Sequence, residues 1–423
     1  MTTAPRRYTA SWVLPFEGPP ISRGAVLLDA AGRIAAVGPD RDVPVPPGVE
    51  RVDLDPACVL LPGFINTHTH LELTGLDAAA PEADFPDWIG RIIALKAGRS
   101  AQDFLNAAKQ GIRDGWAQGV TTVADTGDSG AVIAALVELD GSGIGYHEVF
   151  GPHPDQADAR FRTWVSRMEE LGSLARGRVR LGASPHAPYS VSGPLYRRVA
   201  SFAAERRLRV AVHLAESEAE SKLLERDEGG FARAWQSRGI PLPSARCSPV
   251  RWLERHGVLG PATLCIHVVR ADSGDLALLA RRRAAVAHCP RSNRRHGHGD
   301  APLRAILDLD LRVGVGTDSV ASVSPLDLLA EARAARELGG LSAEAALGLV
   351  TISASRALGL DGEIGSLAPG KWGDLAVVDL GGPVDAARLA DTVLSRGGTA
   401  VRRTVVGGRE VFSREPSAVS PQP

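Results

Sequence analysis

A chain of 423 residues, 44% hydrophobic and 23% charged with formal net charge −1, has enough material for one large folded unit and a smaller one. Near-zero net charge excludes a general nucleic-acid or membrane-surface binder, and no apolar stretch approaches the length that spans a bilayer. The four cysteines, Cys58, Cys247, Cys265 and Cys289, have no C-x-x-C spacing, and the N-terminus lacks a signal peptide's apolar core; both predict a reduced, cytoplasmic setting.

Residues 8–56 hold short strand-like pieces broken by Gly and Pro, such as Gly24-Ala25-Val26-Leu27-Leu28. From residue 58 onward, short apolar runs alternate with longer amphipathic segments. Strands are predicted at 59–66, 120–125, 144–150, 179–184, 209–213, 263–267, 284–288 and 312–316. Helices are predicted at 101–118, 161–171, 194–206, 272–282 and 326–338. Buried parallel strands read as continuous apolar runs, so eight of them alternating with helices predict an α/β fold, a (β/α)8 TIM-like barrel. The competing open sheet would place a Gly-rich phosphate loop after its first strand, and none is present. The stretch 231–260 is a long connection and a candidate partial lid. Strand-like character returns at 374–380, 401–406 and 410–412. The expected organisation is therefore a small β-sandwich domain built from both chain ends, 1–57 and 363–412, around a catalytic barrel at 58–362. Residues 413–423 are expected to be a disordered tail.

Polar residues gather where the predicted strands end: His68 and His70, Asp125, His147 and Glu148, His186, His213, His267, His288 and Asp318. The C-terminal rim of a barrel is where catalytic groups sit. In an extended backbone His68 and His70, at i and i+2, point to the same side and can reach one metal ion. His213 and Asp318 complete a ligand set drawn from separate strands, with a position left open for water. A lone rim histidine is more often structural than a ligand; four candidate ligands on one rim are not readily coincidental. Glu216, three residues after His213, is a candidate proton carrier, although a glutamate at a helix start is also favoured by the helix dipole. His267 is a candidate donor toward the attacking water. His186 lies in a loop stiffened by Pro185 and Pro188. The fourth predicted strand offers no lysine that could bridge two metals, so one divalent ion is expected, zinc first and ferrous iron as the alternative. The other zinc-deaminase pattern, H-x-E with P-C-x-x-C, is absent.

Together, Pro62-Gly63-Phe64-Ile65-Asn66-Thr67-His68-Thr69-His70, His213-Leu214-Ala215-Glu216, His288-Cys289-Pro290-Arg291-Ser292-Asn293 and Gly316-Thr317-Asp318-Ser319 resemble the amidohydrolase superfamily over almost the whole chain. The match is to its single-metal branch, which includes cytosine, guanine, chlorotriazine and adenosyl-type deaminases. Ser184-Pro185-His186-Ala187-Pro188-Tyr189 is similar to deaminases of 6-aminopurine nucleosides, among them the methylthioadenosine/S-adenosylhomocysteine enzymes. The glutamate those enzymes carry soon after an F-x-x-W motif is missing after Phe85-Pro86-Asp87-Trp88. Phe150-Gly151-Pro152-His153-Pro154-Asp155 and Thr317-Asp318-Ser319-Val320-Ala321-Ser322 resemble the aminodeoxyfutalosine deaminases of menaquinone biosynthesis more closely.

The resemblance implies hydrolytic deamination, best matched to 6-amino-6-deoxyfutalosine giving futalosine and ammonia. It places His68, His70, His213 and Asp318 on the metal, with Glu216, His267 and Asp318 as the catalytic groups. His186, Arg291, Asn293 and Ser322 would contact the substrate, and Arg291, Arg294 and Arg295 are candidates to meet a carboxylate on its tail. The alternatives are a methylthioadenosine/S-adenosylhomocysteine or other heterocycle deaminase (guanine, cytosine, triazine), a cyclic-amide hydrolase, or, remotely, a non-catalytic scaffold of the same fold. The expected partner is a small-molecule substrate, with no nucleic acid or membrane, and a homodimer is compatible with the reading.

Overall fold

The computed structural model describes residues 5–77 and 84–414. Its strands in chain order are β1 (Arg6–Val13), β2 (Ile21–Leu28), β3 (Ile34–Pro39), β4 (Glu50–Asp53), β5 (Cys58–Pro62), β6 (Phe64–Thr69), β7 (Val120–Gly127), β8 (Gly143–Val149), β9 (Val179–Pro185), β10 (Val210–Leu214), β11 (Thr263–His267), β12 (Ala285–His288), β13 (Arg312–Val315), β14 (Leu375–Asp379), β15 (Val401–Val406) and β16 (Arg409–Ser413). β6 to β13 lie side by side in sequence order, and every neighbouring pair is parallel. The first and last of these meet: the amides of Thr317 and Asp318 both donate to the His68 carbonyl, at 3.0 and 3.1 Å, and Thr69 bridges Asp318. The Asn66 side chain reinforces that closure by exchanging hydrogen bonds with Thr317. The result is the expected (β/α)8 barrel.

Alternation along the strands explains the two layers of its core. Ile65, Ala124, Ile144, Ala211, Leu264, Ile266, Ala285 and Ala287 share one buried cluster. Val212, Leu214, Cys265, Val286, Val313 and Val315 pack instead with the surrounding helices. Ala211 and His213 fall on the same side of β10, so the pleat that buries Ala211 also carries His213 to the rim. No helix among the described residues is long and apolar enough to cross a membrane.

The remaining strands form one sheet from both chain ends, ordered β16-β15-β14-β5-β1-β2-β3, with β4 on β1. Tyr8, Val26, Leu28 and Ile34 from one part of it meet Leu60, Leu375, Val377 and Val405 from the other in a single cluster, which gives the small domain a sandwich-like core. One boundary differs from expectation. The run 59–66 reads as one barrel strand but is two: β5 pairs with β14 and β1 in the terminal sheet, and only β6 enters the barrel. The break lies at Pro62-Gly63. A Cβ on Gly63 would sit 2.2 Å from the Thr121 side chain, so only glycine fits where the chain crosses between the layers. At the far end, Ser413 closes β16, and residues 415–423 of the expected tail lie outside the described residues. The connection 231–260 contains two helices, Gly229–Ser237 and Pro249–Arg255.

Candidate active site

His68 is fully buried in β6, and neither of its ring nitrogens has a hydrogen-bond partner. His70 follows the strand, and the two rings lie edge to face with centroids 4.8 Å apart. His70 Nδ1 lies 2.8 Å from the Thr126 carbonyl, and His213 Nδ1 lies 3.2 Å from the His186 carbonyl. A carbonyl only accepts, so both rings must carry their proton on Nδ1 and present a bare lone pair at Nε2. Those two Nε2 atoms are 3.3 Å apart. Two lone pairs at that distance repel unless a cation lies between them. Asp318 Oδ1 is 3.6 Å from Nε2 of both His68 and His70. The donor set therefore fits one divalent metal, with second-shell carbonyls fixing the histidine tautomers.

Electrostatics agree with this assignment. Burial drives His68 down to about 3, against the opposing pull of Asp318, which leaves its ring neutral. Burial likewise keeps His213 well below the usual histidine range, aided by the neighbouring histidines. Burial would raise the Asp318 carboxyl, but the surrounding His68, His70 and His267 rings outweigh it and hold Asp318 well below the usual range. Neutral imidazoles facing an ionised carboxylate are the protonation states that metal ligation requires. Ser292 Oγ donates to Asp318 Oδ2 at 2.6 Å, and the Ser319 amide donates to Oδ1 at 2.8 Å. Asp318 (φ 59°), His267 (φ 73°) and Ala215 (φ 50°) all adopt the left-handed region just where their strands end. Non-glycine residues rarely do so, and such strain gathers at functional rims.

Glu216 stands beside the ligand set. Its Oε1 lies 3.5 Å from Nε2 of both His267 and His298, and its Oε2 lies 3.5 Å from the Tyr189 hydroxyl. Burial pushes this carboxyl up to about 7, moderated by His267. A carboxyl at that level can both give and take a proton near neutrality. The turn that carries Glu216 is held by Glu220, which accepts the amides of Ala215 at 3.0 Å and Glu216 at 2.8 Å. His267 is oriented by Asn293, whose Oδ1 lies 2.8 Å from Nδ1.

The sequence-predicted residues thus sort by place. His68, His70, His213, Asp318, Glu216 and His267 converge. His186 stands against His213, ring centroids 4.7 Å apart. Asn293 is buried, with its Oδ1 against His267 and its Nδ2 without a partner among the described residues, and Ser322 packs on Ser319. Arg291 pairs with the buried Glu331, and Arg294 with Asp300 and Glu337, so their charges already have partners within the protein. Arg295 is exposed. The sequence reading missed His298, which the Gly297 and Gly299 flanks mark as a loop histidine. It also missed the wall above the site: Phe231 stacks on Tyr189 at 4.2 Å, and Phe85 contacts Tyr189, Phe231 and His298. The helix Gly229–Ser237, part of the expected lid segment, supplies Phe231, and its Trp235 indole donates to the Tyr189 carbonyl.

The model of the Amidohydrolase family matches residues 59–411. The chain belongs to the amidohydrolase family. One relative, a 5-methylthioadenosine/S-adenosylhomocysteine deaminase of Moorella thermoacetica, is 29% identical over 95% of this chain and 92% of its own length. An aminodeoxyfutalosine deaminase of Deinococcus radiodurans is 33% identical over 66% of this chain and 68% of its own. Among solved structures, an adenosine deaminase from Xanthomonas campestris with bound zinc superposes with a TM-score of 0.83. It is 23% identical, covering 96% of this chain and 92% of that one, and so testifies to the fold.

Proposed function

We propose that this amidohydrolase is a hydrolytic deaminase of 6-aminopurine nucleosides, with 6-amino-6-deoxyfutalosine as its first candidate substrate. The observation that carries the reading is Glu216: a buried carboxyl that burial pushes up to about 7, flanked by His267 and His298 and set beside the candidate ligands His68, His70, His213 and Asp318. Deamination needs a group that protonates the ring as it loses aromaticity, and this is such a group.

His68, His70, His213 and Asp318 would hold one divalent ion, zinc first and ferrous iron second, which would supply a Lewis acid that lowers the pKa of water toward neutrality. Asp318 accepts the proton that water gives up, its carboxylate steadied by Ser292 and Ser319. Glu216 delivers its proton to ring N1 as oxygen adds to C6, then takes the remaining proton from that oxygen and passes it to the departing amine, and the proton held by Asp318 returns to Glu216 for the next turnover. His267, fixed by Asn293, orients the attacking oxygen and stabilises the developing charge. Tyr189, Phe231 and Phe85 offer an aromatic wall suited to a flat purine.

The named activities of the relatives support the aminopurine nucleoside class. The Deinococcus radiodurans protein favours the aminodeoxyfutalosine tail, and the Moorella thermoacetica protein favours a methylthioadenosine or S-adenosylhomocysteine tail. Parallel assay of aminodeoxyfutalosine, methylthioadenosine, adenosine and guanine by ammonia release tests the proposal. Turnover of the three 6-aminopurine nucleosides, with aminodeoxyfutalosine the best, is the expected result. Preferential turnover of guanine would overturn it.

A further inference from the structure

Glu216 has a neighbour that the steps above leave idle. His298 is 4% exposed, yet its Nε2 has no hydrogen-bond partner among the described residues. That atom stands 3.5 Å from Glu216 Oε1, just beyond good hydrogen-bond geometry. Its loop is built to hold the ring there. The His298 amide donates to the Asn293 carbonyl at 2.9 Å, and Gly297 (φ 69°) and Gly299 (φ 97°) supply left-handed turns on either side. His296 stacks on the ring at 5.2 Å, Phe85 meets it edge to face at 4.6 Å, and Trp88 backs His296 at 4.4 Å. A ring nitrogen buried without a partner is costly, so this placement makes sense if the nitrogen gains a partner during the reaction.

Tautomers decide what that partner is. Asn293 Oδ1 only accepts, so His267 carries its proton on Nδ1 and turns a bare Nε2 toward the same Glu216 oxygen, also at 3.5 Å. Once Glu216 has given up its proton, Oε1 therefore faces a lone pair on that side. The Tyr189 hydroxyl serves the other oxygen, Oε2. Among the described residues nothing pins the proton of His298 to Nδ1, which leaves Nε2–H free to donate to Oε1.

We infer that His298 is a positioning residue for the proposed deamination, its Nε2–H closing on Oε1 whenever Glu216 is ionised; the inference rests on the proton-carrier role given to Glu216 above. The His298 ring keeps its own proton throughout. With Tyr189 at Oε2, it keeps the carboxylate aimed between one proton transfer and the next. Contacts of this kind are often long in the resting site and tighten in the reacting complex.

The test begins with isotope-labelled histidine NMR of the zinc-loaded protein at alkaline pH, above the value of about 7 to which burial pushes Glu216, with His298→Gln to assign the signal. A neutral ring protonated at Nε2 is expected; a proton on Nδ1 would overturn the contact whether or not the protein is active. Ammonia release from adenosine, methylthioadenosine and aminodeoxyfutalosine supplies the second readout. His298→Phe keeps the ring's shape and removes the donor, so kcat is expected to fall about 10- to 100-fold, the worth of a hydrogen bond to a charged group, with KM and zinc content little changed. His298→Asn, whose amide stops short of the Nε2 position, should fall equally. His298→Gln, whose amide nitrogen reaches that position, should stay within about threefold of the wild type. If the phenylalanine variant does not fold, the asparagine–glutamine comparison carries the same contrast. In a Glu216→Gln background, His298→Phe should add almost nothing, because it acts through that carboxylate. A wild type that deaminates while the phenylalanine and asparagine variants keep full kcat, or while the glutamine variant falls as far as they do, would overturn the role of His298 and leave the deaminase reading standing. A folded, zinc-loaded wild type that deaminates none of the three would overturn the deaminase reading, and the NMR tautomer would then decide the contact alone.

Discussion

Glu216 separates holding the metal from moving protons. It is no part of the ligand set, and its contacts at 3.5 Å are to His267, His298 and Tyr189. Glu216→Gln should therefore keep its metal and lose turnover by about 100-fold or more, the usual scale for a positioned acid–base group. Metal analysis and ammonia release on the same sample check both halves, and full activity in the variant would refute its role as proton carrier. This residue was legible in the sequence because it lies three positions after His213 at a predicted strand end. His298 was not, because it reaches Glu216 from a loop with no periodic pattern, and only the folded chain shows where that loop lands. Arg291 was expected from its charge to meet a substrate carboxylate; its pairing with the buried Glu331, forty residues away in sequence, is visible only in the folded chain.

At the scale of elements, the helix Glu218–Arg226 is what fixes Glu216. Ser217 caps it by accepting the Glu220 amide, while the Glu220 carboxyl reaches back to the amides of Ala215 and Glu216, a capping box drawn toward the strand end. Burial pushes Glu220 from 4.5 up to about 8, against the pull of those amides. Between these two pH values the folded chain keeps a proton that the unfolded chain releases. The stability this contributes is full below about pH 4.5 and is lost as pH rises to about 8. Glu220→Gln removes the titration, so its stability relative to wild type should climb across that window by about 1–4 kcal/mol. Denaturant melts at several pH values check this; a constant difference would contradict it.

The junction after β13 is equally demanding. A Cβ on Gly316 would lie 2.6 Å from the His68 amide nitrogen and 2.7 Å from its carbonyl oxygen. Gly316→Ala should displace His68 and lower metal occupancy severalfold while the fold persists, as metal titration with a circular-dichroism control would reveal. The barrel strands were readable because each is a short apolar run buried on both sides. The split at Pro62-Gly63 was not, since β5 and β6 are equally apolar and differ only in which sheet pairs them.

Over the whole molecule, the ligands come from β6, the turn after it, β10 and the turn after β13, so only the closed barrel assembles them. A metal bound to that assembly stabilises the folded chain in proportion to its occupancy. Chelation should lower Tm by several degrees, and returning zinc should restore it; a Tm indifferent to chelation would mean that the cluster holds no metal. The broad architecture was legible because eight short apolar runs are spaced by longer, partly helix-like segments. The pairing of the two chain ends could be expected from their shared strand-like character, but its register could not, because residues such as Leu60 and Val377 are far apart in sequence and meet only by tertiary pairing.

In the proposed reaction, one rim metal and Glu216 together drive hydrolytic loss of ammonia from a 6-aminopurine nucleoside. The most direct measurement is ammonia release from aminodeoxyfutalosine by protein stripped of metal and then titrated with zinc. Activity should rise from near zero and level off at one equivalent of zinc per chain, with one ammonia formed for each 6-oxo product. Activity that survives stripping, or that needs a second equivalent, would contradict the account.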